Sequence, residues 1–526
     1  MTISELIKSI DVLRVVGNTS QEVSDIQFDS RRVGGGCLFV AQVGTAVDGH
    51  TYIKQCVASG AIAVVLEKEE YIEDNGVCYI LVKNSDEALG KMAHYWYGEP
   101  SKHLRLVGVT GTNGKTTTAT LLYKLFKSLG YKAGLLSTVV NYVDEEEIAA
   151  THTTPNALEL NALLSKMVSA GCTYAFMEVS SHAIAQERVG GLEYAGALFT
   201  NLTRDHLDYH KTFDNYRDTK KILFDRLSKG AFAITNIDDK NGLVMTQNCR
   251  GRVYTYSTHS MADFRGKILE EGFDGMLLRV QSTLGVVNTE VFVPLVGRFN
   301  VSNLLLIYGA AVCLGEDAME VLRVLSGLQP VNGRFETIRS PKGWTAVIDY
   351  AHTPDAVENV LKTINEIVAA NVGKQAEPAQ VITVVGCGGN RDKGKRPIMA
   401  KNAYQLSTQL ILTSDNPRDE EPVDILQDMA AGLSNEELRH TLIIEDRASA
   451  IKTACTLARR GDVVLVAGKG HENYQILKDR TIHFDDIDIS HIKAHDIVRM
   501  GIAQCPERRR IFADQSVEDN LLLGAY

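Results

Sequence analysis

The sequence predicts an α/β protein built on parallel, doubly wound sheets. Short apolar runs of strand length alternate with amphipathic stretches of helix length. One Gly-rich turn, at 108–118, lies between such a strand and such a helix. A length of 526 residues implies about three domains at roughly 100–200 residues each. The composition, 44% hydrophobic and 23% charged, excludes wholesale disorder and collagen-like structure. With 55 basic against 65 acidic residues the net charge is −10, so no nucleic-acid partner is expected. Nine scattered cysteines without a CxxC pair argue against a disulfide framework or structural zinc. The N-terminal stretch carries acids and no cleavage site, so it does not read as a signal peptide. No apolar run reaches the ~18–20 residues of a bilayer span. A cytoplasmic protein without membrane insertion is expected, as a monomer.

Taken in order, residues 37–42 (CLFVAQ) and 61–67 (AIAVVLE) read as strands. Residues 52–60 read as a helix stopped by Gly60, and 88–98 as a second helix. The segment 99–103 looks like a linker, which closes a small α/β domain over 1–100. LRLVGVT (104–110) is a strand, and 116–130 a helix with Leu121, Leu122, Leu125 and Leu129 on one face and Gly130 as its stop. Strands over 174–180, 197–202 and 231–236 continue a second domain, 101–334. A third, 335–486, has strands over 344–351, 381–386, 409–414 and 462–468. Residues 487–526 form a separate tail.

The segment GVTGTNGKTTT (108–118) carries the sharpest chemistry. A Gly-rich turn between strand and helix lets backbone N–H groups converge on an anion. Lys115 is placed to reach β- and γ-phosphates and Thr116 to bind Mg²⁺. The strict GxxxxGK[ST] pattern needs Gly where Val109 stands, and a Gly-rich turn that binds nothing is the bland alternative. The variant TGTNGKTTT resembles the nucleotide loop of the Mur ligase family, with a related loop in folylpolyglutamate synthetases. The resemblance runs from about residue 25 to about 485. It implies a three-domain Mur ligase architecture with a central P-loop parallel-sheet ATPase domain and a Rossmann-like C-terminal domain. For the loop it implies ATP contacts from Gly111, Thr112, Asn113, Gly114, Lys115, Thr116 and Thr117.

MEVSSHA (177–183) puts Glu178, and TNLTRDHLDYH (200–210) puts His206, at the carboxyl ends of strands. A carboxylate and an imidazole suit a metal shell, but an ammonium has no lone pair to offer. The resemblance implies that the matching lysine is carbamylated by CO₂ and becomes an anionic ligand. The motif YxxxKxxLF identifies it as Lys220 and not Lys221. The implied Mg²⁺ set is then Thr116, Glu178, His206 and Lys220 as carbamate. Asp205, Asp208 and His210 read as residues that tie the loop together. VGRFNVSN (296–303) resembles an adenine-contacting segment, with Asn300 and Asn303 as candidates. GRFE (333–336) offers Arg334 toward the γ-phosphate. DYAHTPDA (349–356) offers Asp349 near the nucleotide and, more weakly, His352.

FDSRRVGGGCLFVAQVGTAVDGH (28–50) resembles the family's uridine-binding domain. Ser30 is its best contact, with Thr45, Ala46 and Val47 lining a uracil pocket through their backbone. Thr153 and Thr154, then Ser180, Gln186 and Arg188, offer donors suited to a sugar diphosphate and a carboxylate.

Three motifs follow strands of the third domain: GCGGNRDKGKRP (386–397), SDNPRDEEP (414–422) and GKGHENYQ (468–475). Loops at the carboxyl ends of a parallel sheet share one crevice, so Arg391, Arg418 and Glu472 should converge. Two guanidiniums and a carboxylate suit a ligand with carboxylates and an ammonium. Meso-diaminopimelate has an amino-acid group at each end and matches this set. Lysine lacks the far carboxylate and would leave Arg418 unpaired. The motif Asp415-Asn416-Pro417-Arg418 is also the family's diaminopimelate signature, and Gly468 joins the pocket by the same resemblance. An edge charge is the bland alternative for Arg418. Lys393, Lys395 and Arg396 read as a solvated basic face.

The implied activity is ATP-dependent addition of meso-diaminopimelate to the D-Glu γ-carboxylate of UDP-MurNAc-L-Ala-D-Glu through an acyl phosphate, with the domains closing around the substrates. A lysine-adding sibling and a non-catalytic nucleotide-binding protein are the rivals. The tail resembles an internal piece of the ATP-binding subunit of a branched-chain amino-acid transporter, without its flanking motifs. It is expected to be a fusion or assembly artefact beginning near residue 487, with a divergent C-terminal extension as the alternative, and residues 503–526 are expected to pack poorly.

Overall fold

The computed structural model describes residues 1–44, 47–370, 378–484 and 486. The tail, with its expected fusion, and Thr45 and Ala46 lie outside the described residues. The chain divides into two compact units, Met1–Arg334 and Phe335–Tyr526.

The first unit holds two sheets. A five-stranded sheet runs in the order Val12–Val16, Cys78–Val82, Ala63–Leu66, Cys37–Val40, Asp25–Gln27. Only its first pairing is antiparallel. Helix Ser85–Trp96 packs on it through Ala88, Leu89 and Met92, all buried.

The second sheet has eleven strands, with Arg105–Thr110 between Tyr174–Glu178 and Gly196–Phe199, both parallel to it. Strand alternation divides the core between its faces. Val107 and Val109 pack with Leu121, Leu122 and Leu125 of helix Lys115–Ser128 and with helix Arg298–Cys313. Leu106 joins the opposite cluster, with Leu160, Leu164 and helix Phe213–Asp225. The expected helix stop holds: Gly130 has φ 93°.

The sheet is not wholly parallel. Antiparallel pairings extend it: Val140–Val143 with Glu146–Ala149 on one side, and on the other Phe264–Gly272, itself parallel to Arg252–Ser257, with Gly275–Ser282 and then Val287–Val293. These strands connect by tight turns, which only antiparallel neighbours permit. Among the described residues no helix is long and apolar enough to cross a membrane.

The second unit is a six-stranded sheet ordered Glu336–Arg339, Thr345–Asp349, Val463–Ala467, Val381–Val385, Gln409–Leu412, Thr441–Ile443. All pairings but the first are parallel. The carboxyl ends of its strands therefore share one edge, where the loops after 385, 412 and 467 emerge. A short hairpin, Tyr474–Ile476 with Thr481–His483, follows.

Candidate functional site

The Gly-rich loop expected to hold phosphate leaves the central strand at Thr110 and turns into helix Lys115–Ser128. Two glycines make the turn possible. Gly111 has φ 146°, and a Cβ there would lie 1.9 Å from Thr200 Oγ1; Gly114 has φ 84°, and its Cβ would lie 2.5 Å from Asn303 Oδ1. The loop is latched to the next strand's end. Thr112 N donates to Asn201 O at 2.8 Å, Asn113 N to Asn201 Oδ1 at 2.9 Å, and Thr200 Oγ1 to Asn113 O at 2.6 Å. Thr200 and Asn201 were not singled out in the sequence, because polar residues after a strand carry no pattern of their own. Thr117 is buried in the helix's first turn.

Lys115 Nζ donates to Gly111 O at 3.0 Å and Thr112 O at 2.8 Å, curled back over the loop. Burial holds this amine below its ordinary pKa, with the Arg334 guanidinium adding to the effect and Glu178 and Asp205 opposing it. Arg334 Nη2 donates to Thr116 Oγ1 at 3.2 Å, so the cation reaches the loop. Asn300 and Asn303 are buried on helix Arg298–Cys313, with Asn300 Nδ2 on Val296 O at 2.7 Å and Asn303 Nδ2 on Asn300 Oδ1 at 3.1 Å. Near that helix's start opens a cavity of about 460 Å³, lined by Thr258, His259, Arg265, Lys267, Arg279 and Arg298 among others.

Glu178 is 1% exposed and accepts from Thr138 N at 2.8 Å and Thr138 Oγ1 at 3.2 Å. Lys220 is equally buried, and its Nζ donates to Gly111 O at 2.8 Å and Thr110 Oγ1 at 3.5 Å. Both acceptors are neutral oxygens. The ammonium also lies 4.8 Å from the centre of the Tyr216 ring. Burial drives the Lys220 pKa well below its ordinary value; the Lys115 charge lowers it further, and Asp205 opposes. His206 stands in a left-handed conformation, φ 53°, edge-on to His182 at 4.9 Å. Burial, reinforced by His182, Lys220 and Lys115, pushes its imidazole down to about 4 against the pull of Asp205. Lys115, Lys220, Glu178, His206 and Arg334 thus form one electrostatic cluster. Tyr216, wholly buried beneath it, also meets Thr112 Oγ1 at 3.2 Å and was missed because an aromatic in a helix reads as core.

Among the described residues no three His, Cys, Asp or Glu side chains are grouped to hold a metal. The donors offered to a hard cation are one carboxylate, one imidazole and the Thr116 hydroxyl. Lys220 as an ammonium adds none.

Around Glu178 gather the residues expected at the sugar-peptide end. Thr154 Oγ1 donates to Glu178 O at 2.8 Å and accepts from Ser180 N at 3.2 Å. Thr153 Oγ1 accepts from Thr138 Oγ1 at 3.0 Å. Arg188 donates to Thr154 O at 2.9 Å and, through Nε and Nη2, to Gln186 Oε1 at 3.0 and 2.6 Å. Ser180 caps helix Ser181–Ala185. Ser30 heads a short turn in the five-stranded domain, beside Asp29, whose carboxyl the Arg31 guanidinium holds down at about 2.

In the second unit the three loops converge. A Cβ on Gly388 would meet Arg418 Nη1 at 2.9 Å and Arg391 Cγ at 4.0 Å, so both arginines border one glycine. Arg418, itself at φ 53°, donates to Gly389 O at 2.9 Å and Asn416 O at 3.4 Å. Asn416 Nδ2 donates to Glu472 Oε2 at 2.8 Å, and Tyr350 OH to Glu472 Oε1 at 3.1 Å. Gly468, φ 120°, lets Asp415 Oδ2 approach within 2.8 Å of where its Cβ would stand. Pro417 is buried within the same loop. Asp349 accepts from Phe335 N and Ala351 N, each at 2.7 Å, so its carboxylate caps local backbone. His352 Nδ1 lies 2.8 Å from Tyr350 O.

One expectation is corrected. Arg396 does not belong to a solvated basic face: it is 0% exposed and paired with Glu420 at 2.9 Å and Asp428 at 2.8 Å. Its helix, Lys395–Leu406, turns this position inward, where two acids neutralise it.

Three family models match the chain in succession: "Mur ligase family, catalytic domain" over 22–97, "Mur ligase middle domain" over 109–311 and "Mur ligase, glutamate ligase domain" over 333–470. A UDP-N-acetylmuramoyl-L-alanyl-D-glutamate--2,6-diaminopimelate ligase of Phocaeicola vulgatus is 57% identical over 491 residues, 93% of this chain and 98% of that protein. The ligase of the same name from Clostridium tetani is 39% identical over 495 residues, with the same shares covered. A solved structure of a ligase of that name superposes with a TM-score of 0.64 at 32% identity, covering 93% of this chain and 97% of its own. A folylpolyglutamate synthase of Mycobacterium tuberculosis shares the fold, with a TM-score of 0.58 at 16% identity over 73% of this chain and 93% of its own. With relatives this similar along nearly its whole length, the chain belongs to the Mur ligase family.

Proposed function

We propose that this chain is an ATP-dependent amide ligase of cytoplasmic peptidoglycan precursor synthesis. It joins an amine of meso-2,6-diaminopimelate to the D-Glu γ-carboxylate of UDP-MurNAc-L-Ala-D-Glu. The observation that carries the reading is the meeting of Arg391 and Arg418 at Gly388, linked through Asn416 to Glu472. Paired cations and one anion complement the carboxylate and ammonium of an amino-acid end, and lysine has no second carboxylate to offer. The names of relatives 57% and 55% identical point the same way.

In the reaction, a γ-carboxylate oxygen attacks the γ-phosphorus of ATP, the bond to the β-γ bridging oxygen breaks, and ADP leaves. The diaminopimelate amine then attacks the acyl carbon and loses a proton, and inorganic phosphate departs with the former carboxylate oxygen. With Thr112 N and Asn113 N held by Asn201, the Lys115 ammonium and the first turn of helix Lys115–Ser128 receive the phosphates, and Arg334 adds positive charge toward the γ-position. Asn300 and Asn303 address the adenine; Asp349, whose carboxylate holds the backbone N–H groups of Phe335 and Ala351, orders the start of the second unit's nucleotide-side loop. Ser30, Thr153, Thr154, Ser180, Gln186 and Arg188 hold the sugar-peptide substrate. Asp415, Pro417 and Gly468 complete the amino-acid pocket.

Thr116, Glu178, His206 and Lys220 fit Mg²⁺ only if Lys220 carries a carbamate, since an ammonium repels the ion. The buried Lys220 site, with neutral acceptors and a depressed pKa, favours the free amine to which CO₂ adds. Bound there, Mg²⁺ supplies charge neutralisation at the phosphate oxygens.

The test is phosphate release by the purified chain, with the D-Glu γ-carboxylate labelled with ¹⁸O. Release that requires both the sugar dipeptide and diaminopimelate, with one label atom in the phosphate, supports the reading. Release driven better by lysine, or ATP binding without turnover, contradicts it.

A further inference from the structure

Lys469 follows strand Val463–Ala467 and is 0% exposed. Its Nζ donates to Asn416 Oδ1 at 3.0 Å and to Tyr474 O, and stands 3.5 Å from Glu472 Oε2 and 3.7 Å from Asp415 Oδ1. One buried cation therefore touches three of the residues assigned to the amino-acid pocket. Asn416 Oδ1 also accepts from Ile476 N at 2.9 Å. With two donors aimed at the oxygen, the amide can sit only one way round, and its Nδ2 is left facing Glu472 Oε2 at 2.8 Å. Tyr350 OH holds the other carboxylate oxygen at 3.1 Å. Glu472 is thereby fixed in one orientation by a chain of contacts that begins at Lys469.

We propose that Lys469 is a positioning residue for diaminopimelate: it locks the Asn416 amide and, through it, aims the Glu472 carboxylate at the ligand's ammonium. Lys469 itself touches no substrate in this account. The proposal rests on the amino-acid pocket assigned above. Without the lysine, Asn416 Oδ1 keeps only the Ile476 N–H, so the amide is held less firmly, and Asp415 and Glu472 each lose a buried cation, at 3.7 and 3.5 Å.

The experiment is steady-state kinetics on the full chain, varying diaminopimelate and then ATP. It compares the parent, Lys469→Met, Glu472→Gln and the double variant. Losing a hydrogen bond to a charged group predicts a KM for diaminopimelate raised about tenfold in Lys469→Met. The KM for ATP should stay unchanged, and the double variant should resemble Glu472→Gln alone. Effects that multiply in the double variant, or a KM for ATP that rises in parallel, overturn the proposal. A Glu472→Gln variant with an unmoved diaminopimelate KM removes the pocket assignment itself. An unmoved Lys469→Met beside an affected Glu472→Gln removes only the role of Lys469. If Lys469→Met shows no cooperative thermal transition, Lys469→Gln, which keeps a donor toward Asn416, takes its place. Failure of both to fold makes Lys469 structural and overturns the proposal.

Discussion

Lys115 and Lys220 are two lysines of the phosphate-loop cluster that do different work. Lys115 lies against the two loop carbonyls that a phosphate would displace it from. Lys115→Ala should cut kcat by about 10²–10³ while the thermal midpoint stays within a few degrees, because what it loses is charge at the reacting phosphate. A loss below tenfold in a phosphate-release assay would contradict its role. Lys220, buried with its amine depressed, is the lysine proposed to take up CO₂. In ¹³C-bicarbonate the protein should show a carbamate carbon resonance that vanishes in Lys220→Ala, and a resonance unchanged by the substitution would place the carbamate elsewhere.

At the level of elements, the turn into helix Lys115–Ser128 is the least tolerant segment. Gly111→Ala would push a methyl to 1.9 Å from Thr200 Oγ1 in a backbone region that L-residues avoid. The variant should lose about 1–3 kcal/mol of stability in denaturant melts and most nucleotide binding by calorimetry. Unchanged binding would mean that the loop does not hold phosphate. This turn and the parallel strands around it were legible, because strand-length apolar runs and a Gly-rich loop leave plain marks. The outer antiparallel strands were not. Phe264–Gly272 and Gly275–Ser282 are covered on one side only, so polar residues interrupt their apolar runs. Their one clear sign was the Asp274-Gly275 turn, where Gly275 has φ 141°. Among site residues, the motif lysines and arginines were readable. Thr200, Asn201, Tyr216 and Lys469 were not, since their roles come from contacts between distant segments. Arg396 was misread because adjacent basic residues look alike in sequence, while a helix turns only some of them inward.

For the molecule as a whole, acid stability follows from its paired carboxylates. Arg396 and Lys393 hold Glu420 down from 4.5 to about 2, with the Asn390 N–H helping. Lys68 and His50 hold Asp48 at about 2, and Arg31 does the same for Asp29. The folded state binds these protons less readily than the unfolded chain. The stabilisation is therefore complete above the ordinary carboxylate pKa and drains as the pH falls from about 4.5 toward about 2. Thermal midpoints should begin to fall below about pH 6.5, where the unfolded chain protonates the histidines that burial holds at about 4 in the fold, His206 and His210, and should fall more steeply below 4.5 as the carboxylates join. Glu420→Gln should weaken the acid-side drop and cost about 1–3 kcal/mol at neutral pH. A midpoint that rises on acidification would refute this account.

The most direct measurement is a competition. The purified protein, ATP, Mg²⁺ and UDP-MurNAc-L-Ala-D-Glu are incubated with equal meso-diaminopimelate and L-lysine, and the tripeptide products are weighed by mass spectrometry. The diaminopimelate product should predominate, and Arg418→Ala should erode that preference. A lysine product in excess from the parent protein would contradict the paired-arginine pocket on which the function rests.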